Sequence, residues 1–492
     1  MKQKCAVIGS GIAGLGAAIR LACKGCAVEV FEQAPIPGGK ISQLHLAGFR
    51  FDTGPSLFTM PGLVDELFTL CGENPGDHFE YYPVETSCKY FWEDGLIINA
   101  WQNTERFARE VEDNTGVPAQ RIRDFLNKSR RLYELTGDIF LFNSFHKFSN
   151  FFKPAYLKTL LNLPSLDAQT TMHKKNLKWF DDPRIVQLFD RYATYNGSSP
   201  YRTPATLNII AHLEHNNGTF FPKKGMYDIV KSLYELAKRA GVVFHFNQPV
   251  DEIILEGKQV KGLRTGNREH HFDLVVSDVD VVNLYKKLLP KIPLPKKQLA
   301  LERSSSALIY YWGVDGPFPE LQLHNILFSD NYREEFDHLF KTKTVSEDPT
   351  VYIFISSKAV EGDAPKGCEN WYVMINAPRN EGQDWEVLNR KIRKDIIKKI
   401  NRVLNTDIEK HIVAETVADP RSIEENTGAF KGSLYGLSSN GKFAAFNRHP
   451  NFKRNLKNLY FAGGSVHPGG GIPLCLASAK IIDKEIPNLI TE

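Results

Sequence analysis

The sequence predicts an α/β protein, with α+β character overall, that is divided into more than one domain. Three observations predict this. Near residue 4, a buried strand, a glycine-rich turn, a helix and a second strand follow one another. Near residue 459, another strand runs into a glycine-rich turn and a helix. Between these two ends, short runs alternate apolar and polar residues, as antiparallel strands do.

The bulk composition excludes several classes of protein. A chain of 492 residues is too long for one simple core, so two or three domains are expected. The net charge of +4 is small for this length and argues against a nucleic-acid binder with a broad basic face. No apolar run approaches the ~20 residues of a membrane span, and no signal peptide is expected. We therefore expect a cytoplasmic protein.

The seven cysteines are odd in number and show no disulfide spacing, so reduced thiols are expected. Cys23 and Cys26 form a C-x-x-C pattern, which is compatible with redox or zinc chemistry. The alternative is a chance pair, because Gly25 ends the first helix between them and no second ligand pair follows. The chance pair is the favoured interpretation, and no metal site is predicted.

The N-terminal motif has the order that a Rossmann-type dinucleotide-binding unit requires. Residues 4–8 form the predicted strand, residues 9–14 (GSGIAG) the turn, and residues 12 to about 24 the helix. A second strand over residues 27–31 ends at Glu32. All parts of the fingerprint agree, which makes a chance glycine-rich loop a poor explanation.

Each position in this motif has a physical reason. Gly9 permits the tight turn, Gly11 lets a pyrophosphate approach the backbone, and Gly14 lets the helix pack closely on the strand. The helix N-terminus directs unpaired N–H groups and its dipole at the phosphates. Glu32 is placed to accept hydrogen bonds from ribose hydroxyls, which favours FAD or NAD over NADP.

The segments after the second strand favour FAD over NAD. Gly38, Gly39 and Lys40 follow directly, and residues 51–56 (FDTGPS) come next. A second glycine pair with a basic residue can clamp the far side of the pyrophosphate. This extension resembles flavoproteins of the amine oxidase and carotenoid desaturase superfamily, and NAD-only dehydrogenases do not usually carry it.

The C-terminal motif gives the most specific resemblance. Residues 459–473 (LYFAGGSVHPGGGIP) resemble the signature of bacterial-type phytoene desaturases and related carotenoid desaturases. Residues 275–278 and 324–326 resemble the same family in the same order, and the resemblance covers nearly the whole chain. It departs from the family at residues 222–225 (PKKG) and at the LCL after Pro473, the latter beside the expected flavin ring.

The resemblance implies a set of FAD contacts but no catalytic residue. His467 is expected to be structural in its turn, since it has no companion ligands in the sequence. The implied contacts are Gly9, Gly11, Ile12, Ala13 and Gly14 for the pyrophosphate, Glu32 for the ribose, Gly39 and Lys40 flanking the pyrophosphate, Val250 for the adenine, Gly54, Pro55 and Ser56 near the flavin, and Gly463, Gly464 and Ile472 for the ribityl chain and ring.

The resemblance also implies a discontinuous domain organisation. The predicted units are a Rossmann-type FAD-binding domain of residues 1–75, 222–290 and 415–492, an inserted antiparallel-sheet substrate domain of residues 76–105 and 291–414, and a helical subdomain of residues 106–221. Within the helical part, residues 139–163 combine many aromatic residues with interspersed lysines. Such a segment can lie in a membrane interface or cap the substrate cavity; with a lipid-soluble substrate implied, peripheral membrane contact is the favoured interpretation.

The activity implied by the resemblance is FAD-dependent desaturation of a carotenoid. A hydride passes from a saturated carbon to flavin N5, a proton leaves the neighbouring carbon, and a conjugated double bond forms in an acyclic or monocyclic carotenoid. Residues 304–340 resemble hydroxycarotenoid 3,4-desaturases more than phytoene enzymes. Oxygen or a quinone is the expected electron acceptor, and no nucleic-acid partner is expected.

Three alternatives share parts of this pattern. A carotenoid cis-trans isomerase using reduced FAD would carry the same motifs, so that only its product distinguishes it. A non-catalytic isoprenoid carrier such as a Rab GDP-dissociation inhibitor has a related fold, but the intact fingerprint argues for bound FAD. An amine oxidase is disfavoured, because Tyr460 and Phe461 lie within a predicted strand. The sequence leaves open which carotenoid is used, the number of steps and the oligomeric state.

Overall fold

The computed structural model describes residues 2–144, 146, 147, 159 and 162–487. The strands in this part of the chain are β1 (Lys4–Ile8), β2 (Ala27–Phe31), β3 (Ser42–Leu46), β4 (Phe49–Thr53), β5 (Tyr81–Pro83), β6 (Thr86–Phe91), β7 (Ile97–Trp101), β8 (Phe220–Pro222), β9 (Val243–His245), β10 (Glu252–Glu256), β11 (Gln259–Thr265), β12 (Arg268–His271), β13 (Leu274–Ser277), β14 (Ser306–Asp315), β15 (His324–Leu327), β16 (Val351–Ile355), β17 (Cys368–Ala377), β18 (Ile412–Ala418), β19 (Phe452–Lys453) and β20 (Leu456–Phe461).

Helices of eight or more residues connect and cover these strands. In the same described residues they are α1 (Ile12–Cys23), α2 (Gly62–Leu70), α3 (Thr104–Thr115), α4 (Ala119–Phe142), α5 (Met172–Trp179), α6 (Pro183–Asp190), α7 (Tyr227–Arg239), α8 (Trp385–Leu404), α9 (Pro420–Thr427) and α10 (Ile472–Glu485). Shorter helical turns lie between them in the described residues, four of them in the part of the chain that joins α6 to α7.

The first sheet has the predicted Rossmann-type centre. Its main order is β10-β11-β20-β13-β1-β2-β9, and β1 pairs in parallel with both β13 and β2. Helix α1 follows β1 directly and packs against α10, which follows β20. The predicted α/β fold class and the strand–turn–helix–strand order at the N-terminus are therefore confirmed.

The second sheet is mostly antiparallel and has two different faces. Its order is β18-β14-β17-β16-β15-β6-β7. One face carries Trp312 and Val373 into a separate core with α8. The other face carries Tyr311 and Tyr372 into the core that also holds β1 and α1. Strand β18 spans the predicted domain limit at residue 415 and joins this sheet.

The part of the chain between β7 and β8 is mainly helical and contributes α3 to α6. Most of the aromatic and basic segment at residues 139–163 lies outside the described residues. Of its members that are described, Phe140 and Phe142 belong to the end of α4, and Lys147 pairs with Glu485 at 2.8 Å. No helix in the described part of the chain is long and apolar enough to cross a membrane.

Cys23 and Cys26 do not face each other in the fold. Cys23, at the end of α1, lies beside Cys71, and Cys26 lies beside Cys5 of β1. Both are free thiols. The two cysteines of the C-x-x-C pattern therefore have different neighbours, which agrees with the interpretation of a chance pair.

Candidate functional site

The turn between β1 and α1 has no room for side chains at its closest backbone contacts. A Cβ atom on Gly14 would lie 2.1 Å from the carbonyl oxygen of Gly9, so only glycine fits this helix position. The backbone N–H of Gly38 donates to the carbonyl of Ser10 at 2.9 Å, and Gly39 lies against Gly11. The structure thus brings the two predicted glycine segments together at the N-terminus of α1.

Asp278 lies at the centre of this turn, although the sequence analysis gave it no role. Its Oδ2 atom accepts a hydrogen bond of 3.0 Å from the N–H of Gly14. A Cβ on Gly11 would lie 2.5 Å from Oδ2, and one on Gly463 would lie 2.3 Å from Oδ1. Burial, with a contribution from the charge of Glu32, raises the pKa of Asp278 to about 7. The sequence signals were its position directly after β13 and its place in the family motif of residues 275–278.

Glu32 closes the end of β2 through three hydrogen bonds. One carboxylate oxygen accepts from the N–H of Ser10 at 2.7 Å and from its hydroxyl at 2.8 Å, and the other accepts from the N–H of Ala34 at 2.8 Å. The N–H of Gln248 donates to the carbonyl of Glu32 at 2.9 Å. This bond brings the segment that contains Val250 beside the predicted ribose-binding residue.

Lys40 makes a hydrogen bond to a segment that is far from the glycine turn in the sequence. Its Nζ atom donates to the carbonyl of Leu434 at 2.7 Å. Burial lowers its pKa, although Asp280, Cys475 and Asp278 act in the opposite direction. Lys40 therefore acts in this structure as a link to the segment before the C-terminal motif, and its role as a pyrophosphate clamp stays a prediction.

The predicted flavin-proximal segment, residues 54–56, contacts the second sheet. The hydroxyl of Tyr372 donates to the carbonyl of Gly54 at 3.2 Å. The hydroxyls of Ser56 and Tyr352 are 2.7 Å apart, and Tyr352 also bonds Nδ1 of His324 at 2.8 Å. Residues from three neighbouring strands of the second sheet, β15, β16 and β17, therefore meet beside this segment.

The C-terminal glycine turn lies against the first one. The N–H of Ala462 donates to the carbonyl of Ser277 at 2.8 Å, and the N–H of Gly463 donates to the hydroxyl of Ser478 at 3.0 Å. Gly464 packs on Gly470, and α10 begins at Ile472. Gly9, Gly11, Gly14 and Gly463 are thereby gathered around Asp278.

His467 is buried beneath this turn. Its Nε2 atom bonds the carbonyl of Asn143 at 2.9 Å, and burial lowers its pKa to about 3, so the ring is neutral. This geometry agrees with the structural role expected from the sequence.

The two turns fit a dinucleotide. The first turn of α1 leaves backbone N–H groups without intrahelical partners, and its dipole favours an anion there. Gly9, Gly11 and Gly14 add no side-chain atoms where a diphosphate would approach, although the Asp278 carboxylate occupies the N–H of Gly14 there. The acceptors of Glu32 lie at the end of the adjacent strand, where a ribose is bound in this fold.

A buried ionic network lies behind the second sheet, and the sequence analysis missed it. Arg191 and Glu214 form an ion pair of 2.5 Å with both side chains almost fully buried. The hydroxyls of Tyr192 and Tyr195 donate to the same carboxylate, and Arg191 donates to the hydroxyl of Tyr90. Burial would raise the pKa of Glu214, but Arg191 and these hydroxyls hold it below its usual value.

Other candidate sites carry less chemistry. Among the described residues, Glu93, Asp330 and Asp348 form a group that could hold a metal ion, but Glu93 pairs with Arg402 and Asp348 with Lys399. A groove of about 450 Å³ is lined by residues such as His173 and Tyr332, and none of the predicted FAD contacts lines it.

Comparisons with known proteins agree with this geometry. The family model for flavin containing amine oxidoreductase matches residues 12–481. The chain is 49% identical to 1-hydroxycarotenoid 3,4-desaturase from Flavobacterium sp. (strain P99-3) and 33% identical to 4,4'-diapolycopene oxygenase from Methylomonas sp., each over 99% of both chains. It is also similar in fold to an oxidoreductase from Methanosarcina mazei, with a TM-score of 0.64 at 15% identity over 98% of this chain and 100% of that one.

These findings confirm the predicted carotenoid desaturase resemblance, the oxidoreductase class and FAD as the cofactor. In the structure, the glycine turns at the N-termini of α1 and α10 are intact, as FAD binding requires. The chain belongs to the flavin containing amine oxidoreductase family.

Proposed function

We propose that this chain is an FAD-dependent carotenoid desaturase that introduces a conjugated double bond at the 3,4 position of a hydroxylated, acyclic or monocyclic carotenoid. The observation that carries the proposal is the 49% identity to a 1-hydroxycarotenoid 3,4-desaturase over 99% of both chains. The relative named as an oxygenase is less similar, at 33% identity. Retention of all the fingerprint glycines supports a working flavin site over a carrier role.

The proposed FAD-binding domain comprises residues 1–75, 222–290 and 415–492, and the proposed substrate domain comprises residues 76–105 and 291–414. The helical residues 106–221 are proposed to cap the cavity. We propose that the cofactor is held by Gly9, Gly11, Ile12, Ala13, Gly14, Glu32, Gly39, Lys40, Gly54, Pro55, Ser56, Val250, Gly463, Gly464 and Ile472.

Bound FAD supplies the hydride acceptor for this reaction. The protein contributes position and the exclusion of water. A carotenoid is almost entirely apolar, so its binding depends on buried apolar contact of ~25 cal/mol per Å². The face of the second sheet that carries Tyr311 and Tyr372 packs toward the first domain and supports a role as one wall of the substrate cavity. Aromatic faces there are also suited to a delocalised positive charge.

Two further parts of the proposal concern the surroundings of the enzyme. A lipid-soluble substrate resides in a bilayer, so we propose peripheral membrane contact through residues 139–163, which combine aromatic and basic residues. We propose oxygen or a quinone as the acceptor that reoxidises the cofactor, and a cytoplasmic, membrane-associated location.

The test is an anaerobic reaction between the FAD-loaded protein and liposomes that contain a panel of carotenoids. Loss of the oxidised flavin absorbance, with a product that has one more conjugated double bond, is the expected result. Protein without FAD is the control. A geometric isomer formed without flavin reduction would instead establish an isomerase, and no change in any carotenoid with FAD bound would overturn the carotenoid assignment.

A further inference from the structure

Tyr352 joins two polar side chains across the sheet face that is turned toward the first domain. Its hydroxyl is 2.7 Å from the hydroxyl of Ser56 and 2.8 Å from Nδ1 of His324. His324 and Tyr352 are buried, at 1% and 9% exposure, whereas Ser56 is half-buried. Ser56 is therefore the end of this hydrogen-bonded row that a ligand reaches.

The row can present either a donor or an acceptor at Ser56. Burial lowers the pKa of His324 to about 3, so the ring is neutral and carries one proton. If Nδ1 donates to Tyr352, then Tyr352 donates to Ser56 and the hydroxyl of Ser56 is left to donate. If Tyr352 donates to Nδ1, Ser56 donates to Tyr352 and its oxygen is left to accept.

The second ring nitrogen of His324 lets the hydrogen bonds of this row reverse their direction at a low cost in free energy. Nε2 is buried and has no hydrogen-bond partner among the described residues. A change of tautomer therefore breaks no hydrogen bond at Nε2. The hydrogen bonds from His324 to Tyr352 and from Tyr352 to Ser56 remain, with donor and acceptor exchanged. A ligand group that both donates and accepts, as a hydroxyl does, matches such a row.

The surroundings of the row are apolar. The same sheet face carries Phe354 and Ile326 beside His324 and Tyr352, and the ring of His324 stacks on that of Phe354 with centroids 5.2 Å apart. On this apolar sheet face, the hydrogen-bonded row of Ser56, Tyr352 and His324 is a polar point that a long apolar ligand would meet. An unmatched polar group at such a place is costly, so a ligand with a hydroxyl at the corresponding position gains over one without it.

We propose that Ser56 binds the hydroxyl group of a hydroxylated carotenoid, with Tyr352 and His324 as positioning residues that set the direction of its hydrogen bond. This inference rests on the proposed function. In a 1-hydroxycarotenoid the hydroxyl lies on carbon 1, two bonds from carbon 3 of the bond that is oxidised. The polar point must therefore lie near the flavin, and Ser56 belongs to the segment proposed to approach it.

The experiment compares two substrates that differ only in the hydroxyl on carbon 1. For wild type, Tyr352→Phe and Ser56→Ala, all saturated with FAD, kcat and KM are measured for both carotenoids. The affinity for each carotenoid is measured separately, by quenching of the tryptophan fluorescence of the protein. The flavin is first reduced chemically under anaerobic conditions, so that no turnover occurs. Tyr310→Phe is the matched control, because Tyr310 lies on the opposite face of the same sheet and its hydroxyl bonds the carbonyl of Asn389 at 2.6 Å.

Wild type and Tyr310→Phe are expected to prefer the hydroxylated carotenoid by roughly tenfold or more in kcat/KM and in affinity. Tyr352→Phe and Ser56→Ala are expected to lose most of that preference. Tyr352→Phe, which lies outside the proposed FAD contacts, is also expected to keep its kcat/KM for the carotenoid without the hydroxyl. If either variant folds, binds FAD and keeps the full preference, the inference is wrong.

Failure of hydroxyl recognition and failure of the desaturase assignment give different results in this experiment. If wild type desaturates both carotenoids equally, the desaturase assignment stands and hydroxyl recognition by this row is overturned. If wild type binds FAD but desaturates neither carotenoid, the proposed function fails and the inference fails with it.

Discussion

The carboxylate of Asp278 lies at the N-terminus of α1, where its Oδ2 atom accepts a hydrogen bond of 3.0 Å from the N–H of Gly14. A dinucleotide diphosphate is bound at the same helix N-terminus in this fold. Two anions then compete for one positive helix end, and the charges of Glu32 and Lys40 both act on Asp278. The half-buried thiol of Cys475 also interacts electrostatically with this carboxyl.

FAD binding is therefore expected to depend on pH. The pKa of Asp278 is raised to about 7, and a neighbouring diphosphate raises it further, so binding takes up a proton. The dissociation constant for FAD should rise with pH above about 7, by at most about tenfold per pH unit. Asp278→Asn should remove this dependence and bind more tightly at pH 8, as measured by flavin fluorescence at constant ionic strength.

The control for this titration is Asp273→Asn, since Asp273 is exposed at the start of β13 and bonds the N–H of Lys4 at 2.8 Å. Its dissociation constants should follow those of wild type at every pH. A pH dependence that survives unchanged in Asp278→Asn would assign the effect to another group.

The same residue should affect the stability of the protein without FAD. Since the folded-state pKa lies above that of the unfolded chain, the folded state holds the proton more tightly between about pH 4 and pH 7. Stability relative to Asp278→Asn is therefore lost as pH rises through that window, by up to about 1.4 kcal/mol per pH unit. The difference in Tm between variant and wild type should be small at pH 4 and largest at pH 8; a constant difference would contradict this.

Gly14→Ala should destroy the dinucleotide cradle. The new Cβ would lie 2.1 Å from a backbone oxygen of Gly9, which cannot move without displacing β1 or α1. We expect loss of most bound FAD, measured by the ratio of flavin to protein absorbance, and a lowered Tm. Gly62→Ala is the control, because no atom lies within 4 Å of its Cβ position and the residue begins α2. Full FAD occupancy in Gly14→Ala would refute the close approach.

Removal of one partner from the buried Arg191–Glu214 pair should destabilise the protein strongly. Glu214→Leu leaves the guanidinium buried and unpaired, which costs about 3–5 kcal/mol. Glu214→Gln keeps hydrogen-bonding atoms toward Tyr192 and Tyr195 and should cost less. Denaturant titration gives both values. Glu80→Gln, which breaks an exposed pair with Lys223, should change stability far less than Glu214→Leu does. An equal loss in all three variants would show that burial of the Arg191–Glu214 pair has no effect.

The lysines of the aromatic segment should contribute to membrane binding. Lys153 and Lys158 lie among the aromatic residues at positions 139–163. Their replacement by Gln should weaken binding to anionic vesicles by about 1 kcal/mol each, which is about fivefold per residue, in a sedimentation assay. The same change at Lys223 and Lys231, which lie outside the segment, is the control. Equal losses in the two double variants would show that general charge, and not this segment, directs binding.

Local patterns predicted the N-terminal unit well, because the strand, the glycines and the helix are neighbours in sequence. Residues 275–278 were recognised as a family motif, yet the role of Asp278 was not predicted, because the carboxylate meets Gly14 only when β13 pairs with β1. The direction of Lys40 was likewise unpredictable, since Leu434 is distant in the chain.

Contacts between the second sheet and distant residues could not be predicted from local sequence patterns either. Ser56 and Tyr352 are 296 positions apart, and nothing in either local sequence indicates the other. The limit proposed at residue 415 divides β18, a strand of seven residues, six of which pair with β14 of the second sheet. The pairing partner is about 100 residues away in the chain, so the local sequence did not indicate it. Arg191 and Glu214 lie in a stretch where charged residues would normally be taken as exposed.

The interleaved first sheet has a consequence for the order in which the protein is made. Strand β1 leaves the ribosome first, yet its neighbour β13 and then β20 are synthesised much later. At 5–20 residues per second, β1 and β20 emerge on the order of tens of seconds apart. During that interval one edge of the nascent apolar strand pair is open to other chains. Cofactor loading can therefore only follow the synthesis of β20 and the C-terminal glycine turn, and an assay of FAD binding by chains truncated before β20 should show none.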